Sequence, residues 1–207
     1  MSLSWKDWKK TDILYGIVAP LIVVLAIVGI SVLNSLIGFS ESTGFIIGIT
    51  MQILELTVIV AVPLLLGLVW NRWAGGASGF LMGSLYSLYW ADQFRGGGTS
   101  GFHFGVGTIL LAYTLSAMLI GYMAGALNKR SEDFRRMAIS GVIATAIGGV
   151  LLFGIFQLSP SNVVTGWDGF LLNVLPRILC GVLIPVIAKV FFWYGMGVNK
   201  KPKDYAA

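Results

Sequence analysis

Long apolar runs separated by short polar or glycine-rich connections fill the chain, and the runs over 12–35, 44–70, 76–91, 104–127, 137–158 and 169–194 predict six helices. Most approach or exceed the roughly 20 residues a helix needs to cross the hydrocarbon core of a bilayer. Barrel strands would instead alternate apolar and polar residues over segments of about ten. The expected fold class is therefore an all-α integral membrane protein, a single compact domain of six transmembrane helices over residues 1–207. The second run is long, holds Gln52 and Glu55 well inside and passes Pro63, so a tilt or a break near that proline is expected.

The third and fourth runs carry a second pattern. Gly75, Gly79, Gly83 and Ser87 recur every fourth residue, and Ala117, Gly121 and Gly125 do the same on the next run. Each set forms a stripe with almost no side chain, along which another helix can approach closely. Between the two stripes lies the densest group of aromatic and polar residues in the chain, including Tyr86, Tyr89, Trp90, Asp92, Arg95, Phe102 and His103. That group predicts a mouth on one membrane face, built over two tightly packed helices.

Composition supports this reading and removes alternatives. With 57% hydrophobic and 11% charged residues and a mean hydropathy of +0.85, the chain lacks the polar surface of a soluble domain. Its net charge of +5 raises the question of nucleic acid, but the basic residues sit at the ends of apolar runs. Lys6, Lys9, Lys10, Arg72, Lys129, Arg130, Arg135, Arg136, Lys200, Lys201 and Lys203 fall on one side of the expected bundle, and Arg95 alone on the other. This bias predicts a multi-pass cell-membrane protein with both termini in the cytoplasm and no nucleic-acid partner. In the connection NKRSEDFRR, Ser131 is expected to cap the fifth helix, with Glu132 and Asp133 in its first turn. Lys189 falls close to the inner headgroups and is expected to snorkel there.

Ionisable groups within apolar runs are costly and usually face a cavity or a partner, which singles out Glu55 and Arg177. At about 1.5 Å per residue, Glu55 lies roughly 16 Å and Arg177 roughly 12 Å from the outer ends of their helices, close enough in level to pair. Gln52 precedes Glu55 by three residues and Asn173 precedes Arg177 by four, each on the face of its charged neighbour. A polar column is thus expected, rising from Glu55 and Arg177 through Gln52 and Asn173 toward Tyr86, Tyr89, Trp90, Asp92 and, from the last outer loop, Trp167. Aromatic rings would stack on a ligand and the charged pair would match its polar ends. A structural ion pair holding two helices together is the competing reading of the same residues.

Other chemistry finds no support in the sequence. No phosphate-binding G-x-x-x-x-G-K-[ST], metalloprotease H-E-x-x-H or nucleophile elbow occurs, so neither ATP binding by this chain nor catalysis is expected. His103 has no Cys or carboxylate at metal-ligand spacing, so no metal or other cofactor is expected, and the single Cys180 excludes an intramolecular disulfide.

The segment WAGGASGFLMGSLYSLYWADQF, the following LIGYMAGAL and the last-helix sequence LPRILCGVLIPVIAKVFFW resemble the substrate-binding S components of energy-coupling-factor vitamin transporters. The likeness covers the last two thirds of the chain and rests on glycine spacing and hydropathy. It implies a vitamin-like or metal-ion ligand held at the outer face, an integral membrane coupling subunit and two ATPases as partners. The Ala-x-x-x-Ala docking motif of many such proteins is absent, since Ala19 is followed four residues later by Val23. Two other functions compete. One is a non-catalytic accessory subunit of a larger membrane complex. The other is a channel or small secondary transporter, for which the chain shows no inverted repeat.

Overall fold

The computed structural model describes Val18 and residues 52–95, 104–158 and 166–193, with only the backbone described at 90–95, 104–107 and 109. Among these residues there are five helices and no strand. Helix α1 covers Gln52–Val69, α2 Arg72–Arg95, α3 Phe104–Asn128, α4 Phe134–Gln157 and α5 Gly166–Trp193. Four of them, α1, α3, α4 and α5, contain segments long and apolar enough to cross a membrane, the pattern of a membrane-embedded multi-pass protein. The expected span over 12–35, both termini and the loop containing Phe102 and His103 lie outside the described residues.

Helix α2 differs from its expected form. It runs over Arg72–Arg95 rather than 76–91 and, although 24 residues long, is not apolar enough to count as a span by itself. Several of its small residues pack against protein. Ala74, Ser78, Met82 and Tyr86 form one buried row, and the Gly75, Gly79, Gly83 and Ser87 row runs beside it. A helix so placed does not need a lipid-compatible surface all round.

The two stripes meet in an antiparallel seam. Gly75 lies against Gly121, Gly79 against Ala117 and Gly83 against Thr114, while Gly125 lies against Arg72. A Cβ at Gly79 would stand 2.2 Å from the Ala117 carbonyl oxygen, so the backbones approach as closely as glycine allows. The Ser87 hydroxyl extends the register, lying 2.6 Å from the Gly83 carbonyl of its own helix and 3.1 Å from the Leu110 carbonyl across the seam. Gly67 of α1 enters the same node, and a Cβ there would meet the Gly121 oxygen at 2.3 Å. In a bilayer, where helices gain nothing by hiding apolar surface from lipid, such contact supplies dispersion energy that bulkier residues would prevent.

Helix α1 runs through the core. Ile59, Val60, Leu64 and Leu68 have no exposed surface, and α1 packs on α2, α3 and α5. The break expected near Pro63 takes the form of a π-helical stretch over Leu56–Ala61, in which the Val62 N–H donates to the Thr57 carbonyl. Proline offers no N–H to the carbonyl four residues back and crowds it, and one widened turn before Pro63 relieves both problems.

Helices α4 and α5 form a second close pair. Gly141 and Gly181 face each other, and the Thr145 hydroxyl lies over Gly181 while donating to the Gly141 carbonyl at 2.9 Å. Ser116 of α3 donates to the Gly148 carbonyl of α4 at 2.9 Å and joins the two pairs. The exposed faces are apolar: Ile139, Ile143, Ile147 and Val150 on α4, and Leu172, Leu175, Leu179 and Leu183 on α5.

One end of the bundle is basic, with Arg72, Lys129, Arg130, Arg135 and Arg136 at its turns. The α3–α4 turn passes through left-handed backbone at Lys129 (φ 50°) and Arg130 (φ 59°). Asp133, not Ser131, caps α4, its carboxylate accepting from the Arg135 N–H at 3.3 Å. Ser131 bonds the Asp133 N–H instead, a local turn that delays the helix start and leaves no acidic residue in its first turn. Lys189 donates to the Glu132 carbonyl at 2.8 Å, consistent with a position near the end of the apolar layer.

Candidate functional site

Two charged side chains set within apolar helices come together. Arg177, which follows Pro176 in the middle of α5, has 1% of its side chain exposed and forms a salt bridge through Nη2 to Oε1 of Glu55 on α1, whose side chain is 19% exposed. Glu55 occupies the last position before the π-helical stretch, so the irregular turn of α1 begins at the ion pair. Arg177 also donates through Nη1 to the backbone carbonyl of Asn173, while its buried Nε has no partner among the described residues. Gly149 of α4 leaves room for the stem of this arginine, a Cβ there falling 3.4 Å from Arg177 Cδ.

A third group completes the centre. Tyr113 of α3 lies with its hydroxyl 3.4 Å from Glu55 Oε2, donating to the carboxylate oxygen that Arg177 does not hold. Its ring meets Tyr86 edge-on at 5.1 Å and Phe156 edge-on at 5.7 Å. All five described helices thus converge on one carboxylate or its immediate neighbours: α1 with Glu55, α5 with Arg177, α3 with Tyr113, α2 with Tyr86, and α4 with Gly149 and Phe156. Truncating either member of such a buried pair leaves the other uncompensated, a loss of about 3–5 kcal/mol in buried pairs generally.

Tyr113 is absent from the residues that polarity singles out, because it sits in an apolar run and reads as core. A signal existed: Tyr113 precedes Ala117, Gly121 and Gly125 at the same four-residue spacing, so the small stripe ends in a tyrosine. At its end that stripe turns a hydroxyl toward Glu55 of α1.

The remaining expected residues distribute unevenly. Tyr86 is buried in the aromatic layer against Tyr113 and does not stand at an open rim. Tyr89, one turn further along α2, is half-buried. Trp90 and Asp92 lie on the last turns of α2, and their side chains are outside the described residues. Gln52 is exposed at the start of α1. The Asn173 side chain turns back to its own helix and donates to the Gly169 carbonyl at 2.8 Å, so its contribution to Arg177 comes from the backbone and not from the amide. Trp167 is 80% exposed on the first turn of α5 and contacts Phe170 edge-on at 5.9 Å. Ten residues separate it from Arg177, about 15 Å along the helix axis.

The centre offers an anchored positive charge, a carboxylate with part of its surface accessible and a phenol, all held by helices. These groups suit binding of a polar molecule or exchange of a counter-charge. Among the described residues no group of His, Cys, Asp and Glu could hold a metal ion. Compared with known proteins, the chain matches no family model, no curated protein sequence and no solved structure.

Proposed function

We propose that this chain is the substrate-binding component of a membrane uptake system for a small, water-soluble, vitamin-like molecule. In this reading six helices span the cell membrane with both termini in the cytoplasm. The ligand enters from the outer face and is held over the Glu55–Arg177–Tyr113 centre, with Tyr86, Tyr89, Trp90 and Asp92 contributing from α2. No bond is made or broken by the chain. Energy comes from separate ATPases through an integral coupling subunit, as the resemblance to S components implies.

The observation that carries the proposal is a guanidinium with almost no exposed surface, anchored midway along an apolar helix and paired to a carboxylate that keeps 19% of its side-chain surface accessible. An intramembrane charge of this kind generally marks a ligand or ion pathway. The test is titration of the purified protein with a panel of water-soluble vitamins, followed by tryptophan fluorescence and native mass spectrometry. A saturable change that weakens in Glu55→Gln and Trp90→Ala is expected. Equal affinity in both variants would remove this site.

A second reading has an observation of its own in its favour. Arg177 already donates to both Glu55 and the Asn173 carbonyl, as a purely structural bridge between α1 and α5 would. The chain would then be an accessory subunit, co-purifying with other integral subunits and not with ATPases, and Glu55→Gln would lower stability without changing any ligand response.

A further inference from the structure

At the basic end, a surface groove of about 270 Å³ opens between the last turn of α3 and the first turns of α4. Its apolar part is Leu127, Ile139 and Ile143, and its polar part is Arg135, Arg136, Asp133 and Ser140. The apolar part does not end there. Ile139, Ile143, Ile147 and Val150 are all exposed and follow one another down α4 at helical spacing, giving a track that leads from the groove along the membrane-spanning face.

The polar part is positively charged and partly preorganised. Arg136 places both Nε and Nη2 on the Leu127 carbonyl at 3.2 Å, which fixes its guanidinium at the groove rim. Arg135 is exposed beside it. The Asp133 carboxylate is engaged in capping α4, and the two arginines outnumber it. Lys129 and Arg130 in the adjoining turn likewise outnumber Glu132. A fixed basic rim above an apolar track matches a molecule that is anionic at one end and aliphatic along the rest.

We propose that this groove is a site for one anionic phospholipid of the leaflet at the basic end. Its phosphodiester lies against Arg135 and Arg136, and one acyl chain follows Ile139, Ile143 and Ile147. A zwitterionic lipid gains the same track but presents a compensating positive charge to the rim. A soluble phosphate gains the rim but nothing from the track. Basic residues near a membrane surface each strengthen anionic-lipid association by several-fold, so loss of both arginines corresponds to about a thirtyfold weakening.

The experiment is native mass spectrometry of the full chain in detergent, supplemented with phosphatidylglycerol, with phosphatidylcholine of the same chains, or with glycerophosphate as a headgroup lacking chains. One phosphatidylglycerol is expected to be retained in clear preference to phosphatidylcholine, with glycerophosphate unable to compete. Arg135→Gln is expected to weaken retention about fivefold and the Arg135→Gln, Arg136→Gln pair about thirtyfold. Ile143→Ser should weaken retention while leaving the charge intact. Because Arg136 also ties α3 to α4, Arg135→Gln and Ile143→Ser decide the matter if the pair fails to fold. Equal retention of the two lipids, unchanged phosphatidylglycerol retention in those single variants, or competition by glycerophosphate at the lipid's own concentration would each overturn the proposal.

Discussion

Two neighbouring glycines on α2 should respond to the same substitution with opposite signs. A Cβ at Gly75 would lie 2.3 Å from the Gly121 oxygen, 2.7 Å from the Gly121 carbonyl carbon and 2.7 Å from the Gly67 Cα. All three are backbone atoms, on α3 and α1, so no side chain can rotate away. Restoring ordinary contact at 3.4 Å requires the helices to part by about 1 Å, which also loosens the pairs on either side. Overpacking in a well-filled core costs about 1–3 kcal/mol, and an all-backbone clash belongs at the upper end. At Gly76 the nearest atom to an added Cβ is Tyr122 Cβ at 3.4 Å, an ordinary contact. There the residue gains helix propensity, about 0.5–1 kcal/mol. Gly75→Ala gains the same propensity but suffers the clash as well, so the two variants are expected to differ by the overpacking cost alone, about 2–3 kcal/mol in stability. Thermal unfolding of the detergent-solubilised protein, followed by tryptophan fluorescence, reads the difference directly. Coincident transitions for the two variants would refute the seam, because composition and position along the helix are nearly identical and only the register separates them.

Three further outcomes follow from the polar contacts. Glu55→Gln and Arg177→Met should each destabilise by about 3–5 kcal/mol, while the double variant should lose much less than the sum, since the uncompensated charge disappears; additive losses in a thermal double-mutant cycle would show that the two side chains do not interact. Tyr113→Phe keeps the rings against Tyr86 and Phe156 and removes only a long 3.4 Å bond, so a loss near 1 kcal/mol is expected, against about 3–5 kcal/mol for Tyr113→Ala. Asn128 is fully buried and its amide donates to the Leu68 carbonyl at 3.0 Å and the Ser131 carbonyl at 3.1 Å, so Asn128→Leu should lower stability by about 1–3 kcal/mol, and an unchanged unfolding transition would show that this tie between α1 and the α3–α4 turn is dispensable.

Hydropathy and spacing made much of the fold legible. Helix α3 was expected over 104–127 and runs over Phe104–Asn128, and the seam was readable from Gly75 and Gly121 because small residues at every fourth position have few other uses in a membrane helix. The level of Glu55 and Arg177 followed from counting residues, and the structure places them in contact. What the sequence left hidden were features decided by side-chain direction. Asn173 has the correct spacing to face the column, yet its amide finds the Gly169 carbonyl within its own helix, a competitor that spacing does not reveal. Tyr113 was concealed for the opposite reason: a phenol in an apolar run looks like core until its hydroxyl is seen to reach Glu55. The α4 cap shifted from Ser131 to Asp133 because the Ser131 hydroxyl binds the Asp133 N–H in a local turn, a competitor that residue type alone does not reveal.

The two kinds of packing in the bundle determine where a change at the polar centre can act. Helices α1, α2 and α3 meet through Gly67, Gly75, Gly121 and Gly125, with backbone against backbone, and such a contact has no rotamers to rearrange. Helices α4 and α5 also meet closely through Gly141 and Gly181, with the Thr145 hydroxyl set over Gly181. Between the pairs, however, α1 reaches α5 through the Glu55–Arg177 bridge, and α3 reaches α4 through the Ser116 hydroxyl on the Gly148 carbonyl. Side-chain contacts of this kind can exchange partners, while glycine seams cannot. The widened turn of α1 over Leu56–Ala61 starts at Glu55, so the main-chain irregularity coincides with the bridge and not with the seam. Withdrawal of the carboxylate from Arg177, by a ligand or by substitution, should therefore be felt between the two helix groups and leave each group internally intact.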